Sequence, residues 1–136
     1  MKFIIAGGRD FNNYALLKKS CDELILDRVT EVVCGGARGA DSLGERWANE
    51  NNIPVAKFPA DWDKFGKSAG YRRNVEMSKN SDGTIVFWDG ESKGTVHMIN
   101  ISAAIQNREL HVIRYGENGN EVTIKLDEEN KASKMW

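Results

Sequence analysis

The hydrophobic positions of the chain fall into short apolar runs separated by longer amphipathic segments. The runs are typical of buried strands, and they predict five strands, at residues 2–6, 29–34, 55–58, 84–88 and 109–113. The segments between them carry apolar residues at helical spacing. They predict four helices, the first beginning after Asn12 or Asn13 and the others at residues 40–49, 68–79 and 94–106. Residues 59–67 are predicted to form a long loop.

Strands that alternate with helices predict an α/β fold with three layers, in which helices cover both faces of a mainly parallel five-stranded sheet. The C-terminal part has a different pattern. Val122, Ile124 and Leu126 alternate with polar residues, and residues 117–120 have the composition of a turn. We therefore expect an antiparallel hairpin at the sheet edge, a single domain over residues 1–126 and a polar tail over residues 127–136.

Composition and charge narrow the classes of protein. The chain has 136 residues, of which 40% are hydrophobic and 29% charged, as in a globular domain. Its apolar runs fall short of the roughly 20 residues that span a membrane, so we expect a cytoplasmic protein that does not contact membranes. The net charge of −1 argues against a protein that coats nucleic acid. Cys21 and Cys34 fit a reducing compartment, and the sequence predicts neither a metal site nor a cofactor.

Three glycine-rich segments stand where a predicted strand gives way to a helix. They are Gly7-Gly8-Arg9-Asp10, the segment from Gly35 to Asp41, and the segment from Gly90 to Thr95. Glycine lets a ligand approach the main chain, and a helix N-terminus offers unpaired N–H groups to an anion. Because the carboxyl ends of parallel strands share one edge, these segments predict a phosphate-binding pocket there. The second segment lacks the Gly-Lys-Ser/Thr ending of a P-loop, so hydrolysis of nucleoside triphosphates is not predicted.

Side chains near these segments supply the candidate binding groups. Arg9, Arg38 and Arg73 are expected to pair with phosphate, while Asp41 and Asp89 are expected to fix ribose or phosphate oxygens and are the candidate acid–base residues. Two interpretations of Trp88 stay open, stacking on a base or packing in the core. Trp62 and Tyr71 are alternative stacking platforms, and Lys67 is a further candidate for the electropositive wall. The predicted ligand-binding residues are Gly7, Gly8, Arg9, Asp10, Gly35, Gly36, Arg38, Gly39, Asp41, Arg73, Asn74, Trp88, Asp89, Gly90, Ser92, Gly94 and Thr95.

Four motifs, GGRDF, CGGARGAD, GKSAGYRRN and FWDGESKGT, together resemble the YspA/YpsA-related branch of the SLOG superfamily. Its relatives include the Lonely Guy/lysine-decarboxylase-like proteins and the DNA-processing protein DprA. The resemblance covers residues 2–113. It implies a Rossmann-like fold whose loops bind a nucleotide or nucleotide-derived ligand, in proteins of bacteria and their phages.

Three functions remain open on the sequence. The first is sensing or sequestering a phosphorylated nucleotide-derived small molecule. The second is enzymatic hydrolysis of a glycosidic or phosphoester bond, as in Lonely Guy proteins, although Met98 stands at the position of their catalytic glutamate. The third is DprA-like binding of single-stranded nucleic acid, which the charge balance does not favour. The resemblance and the broad apolar faces also lead us to expect a homo-oligomer, a dimer or higher.

Overall fold

The computed structural model describes residues 1–104, 109–115 and 122–126. Its strands are β1 (Lys2–Gly7), β2 (Glu31–Cys34), β3 (Val55–Lys57), β4 (Gly83–Trp88), β5 (Glu109–Arg114) and β6 (Val122–Leu126). Its helices are α1 (Tyr14–Leu24), α2 (Ala40–Glu50), α3 (Trp62–Phe65), α4 (Ala69–Lys79) and α5 (Lys93–Ala104). A 3₁₀ turn (Gly66–Ser68) joins α3 to α4.

The first five strands form a parallel sheet in the order β3-β2-β1-β4-β5. Successive side chains of β1 point to opposite faces of the sheet. Phe3 and Ile5 belong to a core cluster that includes residues of α1 and α2, whereas Ile4 belongs to a second cluster that includes Met77 of α4 and Met98 of α5. The sheet is thus the middle of three layers, and the predicted α/β fold with a five-stranded parallel sheet is confirmed.

Local hydrogen bonds explain where two of the helices begin. The side chain of Asn13 accepts a hydrogen bond from the N–H of Leu16 at 3.0 Å, so Asn13 caps α1. The predicted loop at residues 59–67 was only partly right, because it contains α3. Asp61 caps this short helix by accepting a hydrogen bond from the N–H of Lys64 at 3.0 Å.

Strand β6 pairs antiparallel with β5, with Leu110 opposite Leu126. The turn residues 117–120 and the tail 127–136 lie outside the described residues, so the complete hairpin stays a prediction. None of the described helices is both long enough and apolar enough to cross a membrane.

The strand order reverses direction at β1, and this positions the site. The chain proceeds from β1 outward through β2 and β3, then returns to form β4 on the other side of β1. In open parallel sheets, ligands bind in the crevice at the carboxyl ends of the two strands that flank such a switch. Here that crevice lies beyond Gly7 and Trp88, where β1 and β4 end.

Candidate functional site

The turn after β1 is bonded to the elements on both sides of it. The N–H of Gly8 donates to the carbonyl oxygen of Phe87 at 3.1 Å, and the carbonyl oxygen of Gly8 accepts from the N–H groups of Phe11 and Ala40, each at 3.2 Å. The amide of Gly8 is therefore engaged within the fold. At this turn, Arg9 and Asp10 line the larger cavity and can meet a ligand.

Gly39 allows the second glycine segment to lie against the first. Its φ is +75°, and a Cβ there would stand 2.2 Å from the carbonyl oxygen of Gly8 and 2.6 Å from that of Arg9. Only glycine combines this left-handed backbone with so close an approach. Gly39 lines neither of the two cavities described below, so its place in the structure is a contact between loops.

Asp41 lies in the first turn of α2 and stabilises the loop after β2. Its side chain is buried, with 6% of the residue exposed, and Oδ2 accepts from the N–H of Ala37 at 3.2 Å. Burial raises the pKa of this carboxyl, while the amides of Ala37 and Gly35 and the charges of Arg73 and Arg9 oppose the rise. Asp41 is thus both a support for the loop and a buried acid.

Arg73 is fixed between α4 and the loop after β2. Its Nη1 donates to the carbonyl oxygen of Gly35 at 2.8 Å, and its Nε donates to Oδ1 of Asn74 at 3.2 Å. A Cβ on Gly35 would lie 2.2 Å from this Nη1, so a glycine is needed for the guanidinium to occupy its place. Burial lowers the pKa of Arg73, Asp41 raises it, and the positive charge of Arg9 lowers it further.

Asn74 joins the middle of α4 to the start of α5. Its Nδ2 donates to the carbonyl oxygen of Gly94 at 3.4 Å and lies 3.3 Å from Nδ1 of His97. Because the amide nitrogen is a donor, Nδ1 of His97 accepts, and the imidazole is neutral in this arrangement. Burial accordingly lowers the pKa of His97.

The turn after β4 is organised by Asp89. Its Oδ1 accepts from the N–H groups of Glu91 and Ser92, both at 2.8 Å. The hydroxyl of Ser92 then accepts from Oγ1 of Thr95 at 3.0 Å. The first turn of α5 carries no acidic residue, so the positive end of its dipole is not offset by a carboxylate within that turn.

The larger of two cavities lies at the carboxyl ends of β1 and β4 and has a volume of about 420 Å³. This size is usual for a small-molecule site. It brings together residues from all four motifs that the sequence singled out. The predicted residues that line it are Gly7, Gly8, Arg9, Asp10, Asp41, Arg73, Asn74, Asp89, Ser92, Gly94 and Thr95.

The smaller cavity adjoins the larger one and has a volume of about 280 Å³. Arg9, Ala37, Trp62 and Arg73 line both cavities and so form their common wall. Arg38 lies in the smaller cavity and not in the larger. The remaining residues that line the smaller cavity are Gly35, Gly36, Pro59 and Ala60.

Two further predicted residues lie outside both cavities. Trp88 packs against the core cluster on the α5 side of the sheet, with the guanidinium of Arg114 6.0 Å from its ring centre. Gly90 lies beside the same arginine, whose Nη2 would be 2.8 Å from a Cβ on Gly90. Of the two interpretations of Trp88, the structure therefore agrees with packing in the core.

The aromatic walls of the larger cavity come from residues that the sequence ranked lower or missed. Trp62 and Tyr71 line it, as does Lys67. Tyr115 also lines it, and its ring lies 4.7 Å from that of Phe11. The sequence carried a signal for Tyr115, since this residue follows a parallel strand at the edge where the glycine turns lie.

Comparison with known proteins agrees with the fold and the motifs. The model of the YspA, cpYpsA-related SLOG family matches residues 1–65, which include the glycine segments after β1 and β2. The Gene 61 protein of Mycobacterium phage D29 is 38% identical over 92 residues, which cover 63% of this chain and 71% of the phage protein. No solved structure matches the chain significantly. From the family match and the phage relative together, the chain belongs to the YspA, cpYpsA-related SLOG family.

Proposed function

We propose that the protein binds a phosphorylated, nucleotide-derived small molecule in the larger cavity, as a sensor or a sequestering protein. The observation that carries this proposal is the convergence of four separated motifs on one cavity at the strand-order switch. Arg9 and Arg73 would pair with phosphate, and the start of α5, with Ser92 and Thr95, adds hydrogen-bond donors. Membership of the SLOG family supports the same class of ligand.

The larger cavity also suits the uncharged parts of a nucleotide. Trp62 and Tyr71 offer exposed aromatic faces, with 50% and 45% of each residue accessible, and bases stack on such faces. Asp89 uses Oδ1 for the two backbone N–H groups of its own turn. Its Oδ2 makes no hydrogen bond to the part of the chain that the structure describes, so it can accept one from a ribose hydroxyl.

The test is direct binding. Purified protein should be analysed by native mass spectrometry for a bound small molecule and then titrated by calorimetry with a panel of nucleotides. We expect a ligand that raises the melting temperature, because ligands that bind only the folded state stabilise it. Arg73→Ala should lower the affinity for that ligand about 10-fold or more, because a hydrogen bond to a charged group contributes roughly 1.5–3 kcal/mol.

The matched control is Arg72→Ala. Arg72 neighbours Arg73 on α4 but lines neither cavity, and its Nε donates to the hydroxyl of Ser68 at 3.0 Å. It should leave ligand affinity unchanged. If no nucleotide binds, or if Arg72→Ala and Arg73→Ala weaken binding equally, the proposal is wrong.

Hydrolysis of the same ligand is a second candidate function, and Asp41 is the observation that favours it. A buried carboxyl with a raised pKa beside a cavity is suited to general acid catalysis. Following nucleotide incubations by mass spectrometry would detect released base, sugar phosphate or inorganic phosphate. Asp41→Asn should abolish such turnover while ligand still binds; capture without any product would exclude the enzyme.

A further inference from the structure

The two cavities differ in the charge of the residues that line them. The smaller cavity is lined by Arg9, Arg38 and Arg73 and by no carboxylate. The larger cavity is also lined by Arg9 and Arg73. Its other charged lining residues are one basic residue, Lys67, and three carboxylates, those of Asp10, Asp41 and Asp89. An anionic group is therefore attracted toward the smaller cavity, and an uncharged, hydroxyl-rich group fits better in the larger.

The three arginines of the smaller cavity form no ion pair in the part of the chain described, and the charge of Asp41 acts on Arg73 and Arg9 only from beyond that contact distance. No carboxylate oxygen of residues 1–104 or 109–115 lies within 4.0 Å of their guanidinium nitrogens, whereas Arg28 and Arg46 both form ion pairs by that measure. Unpaired like charges that share a cavity repel one another. An anion of charge close to −2 would relieve that repulsion better than one of charge −1.

The arginines approach this cavity from three separate loops and helices. Arg9 follows β1, Arg38 precedes α2, and Arg73 is on α4, where its contact with Gly35 fixes it. A guanidinium pairs best with two oxygens that it can reach in one plane. Three guanidiniums from different directions therefore match a group with several free oxygens.

We propose that the smaller cavity is the subsite for a terminal phosphomonoester and that the larger cavity holds the rest of the ligand. This inference rests on the proposed function. A phosphomonoester has three non-bridging oxygens and a charge of about −1.5 to −2 at neutral pH. A cyclic or internal phosphodiester has two such oxygens and a single charge. The geometry thus favours ligands with a free phosphate end over cyclic nucleotides.

The experiment compares each of the four common nucleoside 5′-monophosphates with the 3′,5′-cyclic monophosphate of the same base by calorimetry. For the base that binds best, we expect the monoester to bind about 10-fold or more tightly than the cyclic diester. Arg38→Ala should remove that preference, because the exposed side chain of Arg38 is the one arginine found in the smaller cavity alone. Arg46→Ala changes an exposed residue of α2 that lines neither cavity, and it should preserve the preference.

A pH series supplies a second readout. The second pKa of a phosphomonoester is about 6, so the monoester loses negative charge when the pH is lowered from about 7.5 to about 5.5. Its affinity should therefore fall more than that of the cyclic diester. A cyclic nucleotide that binds as tightly as its monoester, or an Arg38→Ala variant that weakens both equally, would overturn this inference while the proposed function stands. If none of the eight nucleotides binds, this inference fails, and the native mass spectrometry and the nucleotide panel described above decide the proposed function separately.

Discussion

Arg73 on α4 donates a hydrogen bond from Nη1 to the carbonyl oxygen of Gly35, 2.8 Å away, and so ties α4 to the loop after β2. The contact joins two motifs that lie far apart in the sequence. It also holds the guanidinium in the wall shared by the two cavities. A glycine at position 35 leaves the space that the contact needs.

Gly35→Ala should therefore lower ligand affinity, because the added methyl group would displace the side chain of Arg73. The new methyl group would stand 2.2 Å from Nη1, and the end of a flexible side chain can move away. We expect the free energy of unfolding to fall by only about 1 kcal/mol, the usual worth of one hydrogen bond, while ligand affinity falls about 10-fold. Calorimetry on the wild type, both single variants and Gly35→Ala/Arg73→Ala forms a double-mutant cycle. If the two effects on affinity simply add, the proposed route through Arg73 is wrong.

Gly39→Ala should destabilise the protein severely. A methyl group at this position meets the backbone oxygen of Gly8 at 2.2 Å, and backbone atoms cannot yield as a side chain does. Gly36→Ala is the matched control, since Gly36 has a nearly equal φ of +74° and no atom within 4 Å of the added carbon. We expect a loss of about 1–2 kcal/mol for Gly36→Ala from its left-handed backbone. For Gly39→Ala we expect more than about 3 kcal/mol. Urea denaturation measures both, and equal losses would contradict the loop contact.

The stability of the protein should decrease as the pH falls below about 6.5. The neutral imidazole of His97 accepts from Asn74, and burial lowers its pKa in the folded state from the ordinary 6.5. In that pH range the unfolded chain binds a proton more readily than the folded protein, so acid favours unfolding. The loss continues until the pH passes the lowered folded-state pKa.

His97→Gln should reduce this pH dependence, because the glutamine carbonyl can accept from Asn74 without titrating in this range. Urea denaturation of both proteins between about pH 5 and pH 8 gives the slope of unfolding free energy against pH. Identical slopes would show that another group is responsible.

Asn13→Ala should lower stability without changing ligand affinity. It removes the side-chain acceptor for the N–H of Leu16, and losing such a cap costs about 1 kcal/mol. Asn13 lines neither cavity. Thermal denaturation and calorimetry on the same preparation separate the two effects. If Asn13→Ala also lowered ligand affinity, affinity would depend on overall stability. The affinity losses of the arginine variants would then have to be corrected for their loss of stability.

The strands could be predicted from sequence because the buried parallel strands consist of consecutive apolar residues. Phe3, Ile4 and Ile5 of β1 are all fully buried, on alternating faces of a sheet that helices cover on both sides. Helix α3 could not be predicted in this way. It has only four residues, too few for helical periodicity, and it begins where one side chain, that of Asp61, caps it.

The candidate site was predictable to the level of the loops but not of the side chains. Residues at the carboxyl end of a parallel strand or directly after it, such as Gly7 and Asp89, reach the common edge whatever the details of packing. The separation of Arg38 from the larger cavity depends on side-chain direction, and so does the packing of Trp88 against the core. Neither is encoded in the spacing of apolar residues.

The position of Trp62 gives the protein an intrinsic optical reporter. This indole belongs to the wall between the cavities and is 50% exposed, so a molecule entering either space would displace water from it. The guanidinium of Arg9 already lies 5.9 Å from the ring centre, and drawing that charge toward a phosphate would change the field around the indole. Trp47, with no exposed surface, would contribute a constant emission against which the change is read.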